Sequence, residues 1–207
     1  SYPEVRQPWE IYVNSHGQRF VREDIPSVDA REHALIKQPG MRYWVVFDQE
    51  ILDQAPPVVE GWTQEQVVNR FGTARWFHQG HSLSTLAAAA GIDAQGLEDS
   101  VELYNYGIES GHDIFGREHC PLPISKPPFY AIRAQGCAIT GAAGLAVDND
   151  LRVIRKDGTV ISGLYAAGEI LGAGNLQGNS YVGGMMVTPA LTFGRLLGTS
   201  ILPIGDK

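Results

Sequence analysis

The run "GLYAAGEILGAGNLQGNSYVGG", residues 163–184, decides how this chain is read. It follows the apolar stretch Val160 to Tyr165 and precedes an apolar run toward Phe193. Strand, glycine turn and helix is the order of a dinucleotide-binding turn. The spacing says otherwise. The nearest match to G-x-G-x-x-G is Gly172, Gly174 and Gly178, one residue too long, and no following βαβ unit carries a ribose-binding acid. Taken alone, the spacing favours a loop that needs glycine for its backbone angles.

Composition bounds the alternatives. The 207 residues can bury one sizeable core, or one domain and part of another. A net charge of −7 argues against nucleic acid, whose phosphates attract basic surfaces. No apolar run is long enough to span a membrane, and no signal peptide opens the chain. Cys120 and Cys137 form neither a zinc spacing nor a disulfide framework, so a reducing cytoplasm is the expected location. The opening "SYPEVRQPWEIYVN" has no Met, which suggests a processed chain or part of a longer protein.

Outward from the glycine run, the pattern divides in two. Upstream, "IYVNSHGQRFV" reads as two short strands, 10–14 and 18–22, about a turn at His16-Gly17. Residues 29–38 read as a helix and 42–48 as a buried strand. Thr63 with Gln66 makes a capping box for a helix through Phe71. Ser82 caps a helix that Gly91 ends. Asp93 caps the next, which runs to about Ser110 with Leu97, Val101, Leu103 and Tyr104 on its apolar face. "SKPPFYAI" (125–132) is a break and then a strand. After it come three strands joined by turns at Asn149-Asp150 and Asp157-Gly158, then the glycine run and a final helix over about 186–199. The fold class is therefore α+β, with a mixed part over 10–125 and a β-meander plus helix over 126–207.

Separate motifs in a fixed order give these segments a common meaning. "DGTVISGLYAAGE", "NSYVGG" and "PALTFGRLLG" resemble the C-terminal part of flavoproteins in the fumarate reductase and ketosteroid dehydrogenase superfamily. "VNSHGQRFVRED", "WVVFD" and "SLSTLAAAAGIDAQGLEDSVELYN" with "GHDIFGRE" and "KPPFYAI" look like that family's substrate cap. The resemblance covers nearly the whole chain. It implies a substrate-binding cap over 10–125 and the C-terminal portion of an FAD-binding domain over 126–207. It also implies that Glu169 meets the ribityl chain of FAD. The helix opening near Met186 and Val187 would present its N-terminus to the flavin, where unpaired N–H groups favour negative charge. Family members open with a Rossmann segment bearing G-x-G-x-x-G, which this sequence does not contain. The expected partners are accordingly that segment, a small-molecule substrate, and a second copy of the chain through an exposed apolar face. FAD is expected to bind weakly or not at all to these residues alone.

Within the superfamily the residues depart from the dicarboxylate pattern. The arginine that precedes the double glycine in fumarate reductases is Tyr181 here. The "HTMGG" histidine falls near Thr140, and the proton-donating arginine aligns near Ser27, with Arg22 and Arg31 nearby in a different register. A tyrosine at this place resembles the ketosteroid dehydrogenases. By that resemblance Tyr181 and the Gly184 amide polarise a substrate ketone, as an oxyanion hole does. "PSVDA" also resembles those enzymes, but without a tyrosine to serve as base, so the base is unassigned. His78 and His81 lack further zinc ligands, so no metal is expected. His112 and His119 read as surface or loop residues, and Met185 and Met186 as lining the flavin or packing the core.

The expected function is an FAD-dependent oxidoreductase acting on a C–C bond next to a carbonyl, with an apolar ketone such as a steroid as substrate. The alternatives are a fumarate-reductase-like enzyme for a carboxylate, and a non-catalytic cap fragment that binds a ligand or partner without flavin.

Overall fold

A computed structural model of the chain describes residues 5–137, 140–178 and 183–201. They divide into two compact units, residues 1–136 and 137–207.

The first unit is built on an antiparallel sheet of β1 (Ile11–Val13), β2 (Arg42–Asp48), β3 (Phe77–Gly80) and β4 (Phe129–Gln135), in the order β1-β2-β4-β3. β4 pairs with β2 over its whole length, Arg42 opposite Gln135 through Asp48 opposite Phe129. By pattern alone this strand groups with the second half. Its partner lies more than eighty residues upstream, and no local pattern announces such a pairing. The division between the units accordingly falls after Gly136 and not after residue 125.

The helices are α1 (Val28–Ile36), α2 (Gln49–Gln54), α3 (Gln64–Val68), α4 (Leu83–Ala90) and α5 (Ala94–Ser110). Their starts follow from capping. Ser27, Asp48, Thr63, Ser82 and Asp93 each accept a hydrogen bond from a backbone N–H of the first turn. Thr63–Gln66 and Ser82–Thr85 form complete capping boxes. α5 buries Leu97, Ser100, Val101, Tyr104 and Gly107. Leu103, expected on that face, is 43% exposed, because the buried stripe runs through positions 97, 100, 101, 104 and 107 and position 103 points off it. Ile11, Val13, Trp44, Val46, Phe47, Leu86, Leu97 and Tyr104 belong to one core.

The "VNSHGQRF" turn is docked on α5. A Cβ on Gly17 would stand 2.2 Å from the Leu97 amide nitrogen, and one on Gly96 2.0 Å from the His16 carbonyl oxygen. Ser100 Oγ donates to Gly17 O at 2.6 Å. The second strand expected over 18–22 is reduced to a single bridge between Val13 and Arg19. The chain here answers to buried charge. Arg19 pairs with Glu23 at 2.7 Å and with Asp113 at 2.6 Å, and Arg117 Nη1 donates to Glu10 O at 2.7 Å, all four charged side chains being buried.

The second unit carries a hairpin of β5 (Arg152–Ile154) and β6 (Val160–Tyr165), extended by a bridge between Val147 and Val153. A 3-10 turn (Gly168–Leu171), α6 (Ala173–Leu176) and α7 (Val187–Ile201) follow. Val153, Ala166 and Leu171 form its small core, with Val147, Ile161, Leu176 and Phe193 packed against it.

Candidate functional site

The glycine run proves to pack on its own chain. Gly172 has φ +89°, and a Cβ there would lie 2.7 Å from Ala142 O. A Cβ on Gly174 would meet the same oxygen at 2.8 Å, and one on Gly144 would stand 2.1 Å from the Leu171 carbonyl carbon. Ala173 N donates to Gly141 O at 2.9 Å and Gly174 N to Ala142 O at 3.0 Å. Two backbone segments lie in direct contact, which only glycine permits. Gly172 and Gly174 therefore hold the 141–145 loop, and no phosphate is needed to explain them.

That packing sets out Glu169. β6 delivers buried Ala166, whose N–H donates to Leu151 O at 3.0 Å. Gly168, at φ +78°, lies against α7, where a Cβ would be 3.2 Å from the Ala190 Cβ. Glu169 follows at the head of the 3-10 turn, exposed, and its side chain makes no hydrogen bond to a described residue. It borders a shallow depression floored by Gly141, Ala143, Gly144 and Leu145. A carboxylate without a protein partner, beside small residues, can accept hydrogen bonds from the hydroxyls of a bound polyol.

Gly184 stands three residues before α7 at φ +84°, with no described residue beyond its chain neighbours within 4 Å of where a Cβ would sit, and Gly183 is equally open. Gly184 O accepts from Thr188 N at 3.0 Å, and Met186 O from Ala190 N at 3.3 Å, so the helix is already wound at these positions. Met186 is half-buried and Val187 is 62% exposed. The start of α7 therefore offers open backbone and the positive end of a helix of 15 residues. Tyr181 lies outside the described residues.

Other residues singled out by sequence have structural work. Ser27 caps α1, accepting from Ala30 N at 3.1 Å, which accounts for its place in the "PSVD" motif. Arg22 pairs with Asp24 at 2.6 Å. Asp24 also accepts the backbone N–H groups of Glu118 and His119 at 2.8 and 3.0 Å. His78 lies in β3 opposite Ala131, where burial and then the Arg133 charge push its pKa down. Among the described residues no group of three or more His, Cys, Asp or Glu could hold a metal ion, and no helix is long and apolar enough to cross a membrane. Sequence reasoning misses Asp113 and Arg117. Their motif, "GHDIFGRE", serves there only as a marker of family order, although its acid binds buried Arg19 and its base buried Glu23.

An α+β chain whose glycine turn presents an unpartnered acid, next to an open helix start, has the parts of a flavin-binding protein. The family described as "FAD binding domain" matches residues 3–186, and the chain belongs to it. It is 29% identical over 195 residues to a probable fumarate reductase of Shewanella frigidimarina, covering 94% of this chain and 31% of that protein. It is 30% identical over 235 residues to 3-oxosteroid 1-dehydrogenase of Mycobacterium tuberculosis, covering 99% of this chain and 40% of that protein. The solved 3-ketosteroid delta1-dehydrogenase of Sterolibacterium denitrificans superimposes with a TM-score of 0.70 at 28% identity, covering 94% of this chain and 38% of that one. The chain thus spans less than half the length of the relatives it matches. The family is one of FAD-dependent oxidoreductases, and FAD is its cofactor. The described residues fit that group, since Glu169 is exposed and unpartnered beside a floor of small residues.

Proposed function

We propose that the complete protein dehydrogenates, or reversibly reduces, a C–C bond adjacent to a carbonyl, and that its substrate is an apolar ketone. One observation carries this reading. Gly183 and Gly184 form bare backbone, with no described residue beyond their chain neighbours within 4 Å of either Cβ position, a few residues before the helix start. Such a place admits a substrate carbonyl to the Gly184 amide. In sequence, Tyr181 precedes this pair where the fumarate reductase pattern has an arginine. A phenol donates one hydrogen bond to a neutral ketone, whereas an arginine would grip a carboxylate. Similarity to a 3-oxosteroid 1-dehydrogenase supports the same substrate class.

In this reading Tyr181 and the Gly184 amide hold the carbonyl oxygen and stabilise the negative charge that gathers there as the neighbouring C–H is lost. Glu169 would hold FAD by its ribityl hydroxyls, and Met186 and Val187 would lie against the flavin at the positive end of α7. When bound, FAD supplies the acceptor or donor of a hydride. The 137–207 unit is the returning part of the flavin domain, the preceding unit is the substrate cap, and the cytoplasm is the location.

The test is Tyr181→Phe in the full-length, FAD-loaded protein with a panel of cyclic ketones. Removing one oxyanion donor lowers kcat by about a hundred- to a thousand-fold, with KM changing much less. Unchanged turnover on the best ketone would make Tyr181 a packing residue and remove the ketone reading.

A further inference from the structure

Two exposed faces of the first unit carry opposite charge, and neither has a role above. The outer face of α5 is acidic. Tyr106 stands at its centre, 64% exposed. Glu102 precedes it by four residues, Leu103 precedes it by three and Glu109 follows it by three, so all share its face. Glu98 and Asp99 lie one turn earlier, four residues before Glu102 and Leu103. All four acids are exposed, and none pairs with a Lys or Arg among the described residues. No Lys or Arg occurs between Arg75 and Arg117, so α5 has no cation of its own. The loop from α3 to β3, residues 69–76, is the complement. Arg70 and Arg75 are exposed there, Trp76 is 48% exposed, and Val68 beside them is exposed as well. The Arg70 guanidinium lies over the Trp62 ring at 5.2 Å, and that of Arg133 over Trp76 at 5.9 Å. None of these three arginines pairs with an acid among the described residues. Between Gly61 and Ile92 the sequence has one acid, Glu65. Thr73 N and Ala74 N both donate to Arg70 O, at 3.2 and 2.9 Å, so the arginines stand on a wound backbone.

We propose that the α5 face of one copy of the chain docks on the 69–76 loop of a second copy. The acids meet Arg70 and Arg75, and Tyr106 and Leu103 meet Trp76 and Val68. A chain of net charge −7 repels its own copies in most orientations. Facing unpaired carboxylates with unpaired guanidinium groups reverses that repulsion locally and fixes the orientation of approach. Aromatic and aliphatic side chains at the middle of each charged face supply the contact that excludes water. Exposed ion pairs are individually weak, so the association is modest in affinity and sensitive to salt. Both faces belong to the first unit, so the contact stands independently of the flavin reading.

The experiment is sedimentation velocity of this 207-residue chain over a concentration series at pH 7. Self-association is expected with an apparent Kd on the order of 10–100 μM at low salt, weakened at least about tenfold by salt of about 0.5 M. Two charge-reversed variants locate the contact. Arg70→Glu with Arg75→Glu makes both faces acidic, and Glu102→Arg with Glu109→Arg makes both basic. Each variant alone should associate at least about tenfold more weakly than the parent chain. Mixed in equal amounts, the two should associate with each other to within about threefold of the parent. All four positions are exposed, and far-UV circular dichroism checks that both variants are folded. A monomeric parent chain, association indifferent to salt, or a mixture no more associated than its components would overturn the proposal. So would association that persists in both variants, which would place the contact on another surface.

Discussion

Asp113 grips the Arg19 guanidinium with both carboxylate oxygens, at 2.6 and 3.2 Å, across ninety-four residues of sequence. Arg19 is committed to Glu23 as well, so one buried cation answers two buried anions. Removing it leaves Asp113 without a cation and Glu23 with only Arg117, 3.4 Å away. Arg19→Ala is expected to cost about 3–5 kcal/mol of stability, measured by urea unfolding. A double-mutant cycle with Asp113→Ala should show strong coupling, and additive losses would show that the pair is not a unit.

The same pair sets a response to acid. Burial pushes the Asp113 pKa up, but the Arg19 hydrogen bond and charge, with the Arg117 and Phe115 amides, outweigh it and hold it below the ordinary aspartate value. Asp24 is lowered likewise, its burial outweighed by Arg22 and the His119 and Glu118 amides. A depressed folded pKa stabilises fully above the unfolded value and is lost as pH falls through the folded one. Unfolding free energy should therefore be flat in this respect above about pH 5 and decline below about pH 4. Asp113→Asn should flatten that acid limb.

Asp48 ends β2 and starts α2 with a fully buried side chain. Its Oδ1 accepts from Ile51 N at 3.0 Å, and its Oδ2 from Ser125 N and Lys126 N at 2.8 Å each. Asp48→Ala strands three backbone donors and is expected to cost about 3 kcal/mol or more. Thermal or urea unfolding reads this, and a loss of only a few tenths would mean that water reaches those amides.

Gly144 and Gly183 give a matched contrast within the second unit. Ala at 144 would place its Cβ 2.1 Å from the Leu171 carbonyl carbon, whereas Ala at 183 meets no described residue beyond its chain neighbours within 4 Å. Gly144→Ala is expected to destabilise the unit by about 3 kcal/mol, at the upper end of overpacking costs, and Gly183→Ala by far less. Amide hydrogen exchange over residues 141–176 would register the difference, and equal protection in the two variants would contradict the packing described.

Glu169 can be tested in the flavin-loaded, full-length protein. Glu169→Ala should weaken FAD about tenfold, the loss of one or two hydrogen bonds to a charged acceptor. Flavin fluorescence on dilution measures it. Because the side chain is exposed and makes no bond to a described residue, thermal stability without FAD should be unchanged.

Sequence by itself determined whatever neighbouring residues settle among themselves. The Thr63–Gln66 box, the Ser82 and Asp93 caps, the left-handed Gly91 stop and the β2 strand were all legible, because a cap or an apolar run involves few residues close in sequence. The family was legible too, through motif order. Tertiary structure decided the rest. Phe77–Gly80 is a strand because β4 offers it a ladder, although "FHQG" has little strand character. Gln49–Gln54 is a helix because Asp48, which closes the strand, also caps the turn after it. Residues 18–22 lost their expected strand to the charges that Arg19 must satisfy. Spacing in Gly172-x-Gly174 denied a phosphate fingerprint but could not show what the glycines serve. The backbone they touch is thirty residues upstream, and contact at that separation is written only in the folded chain.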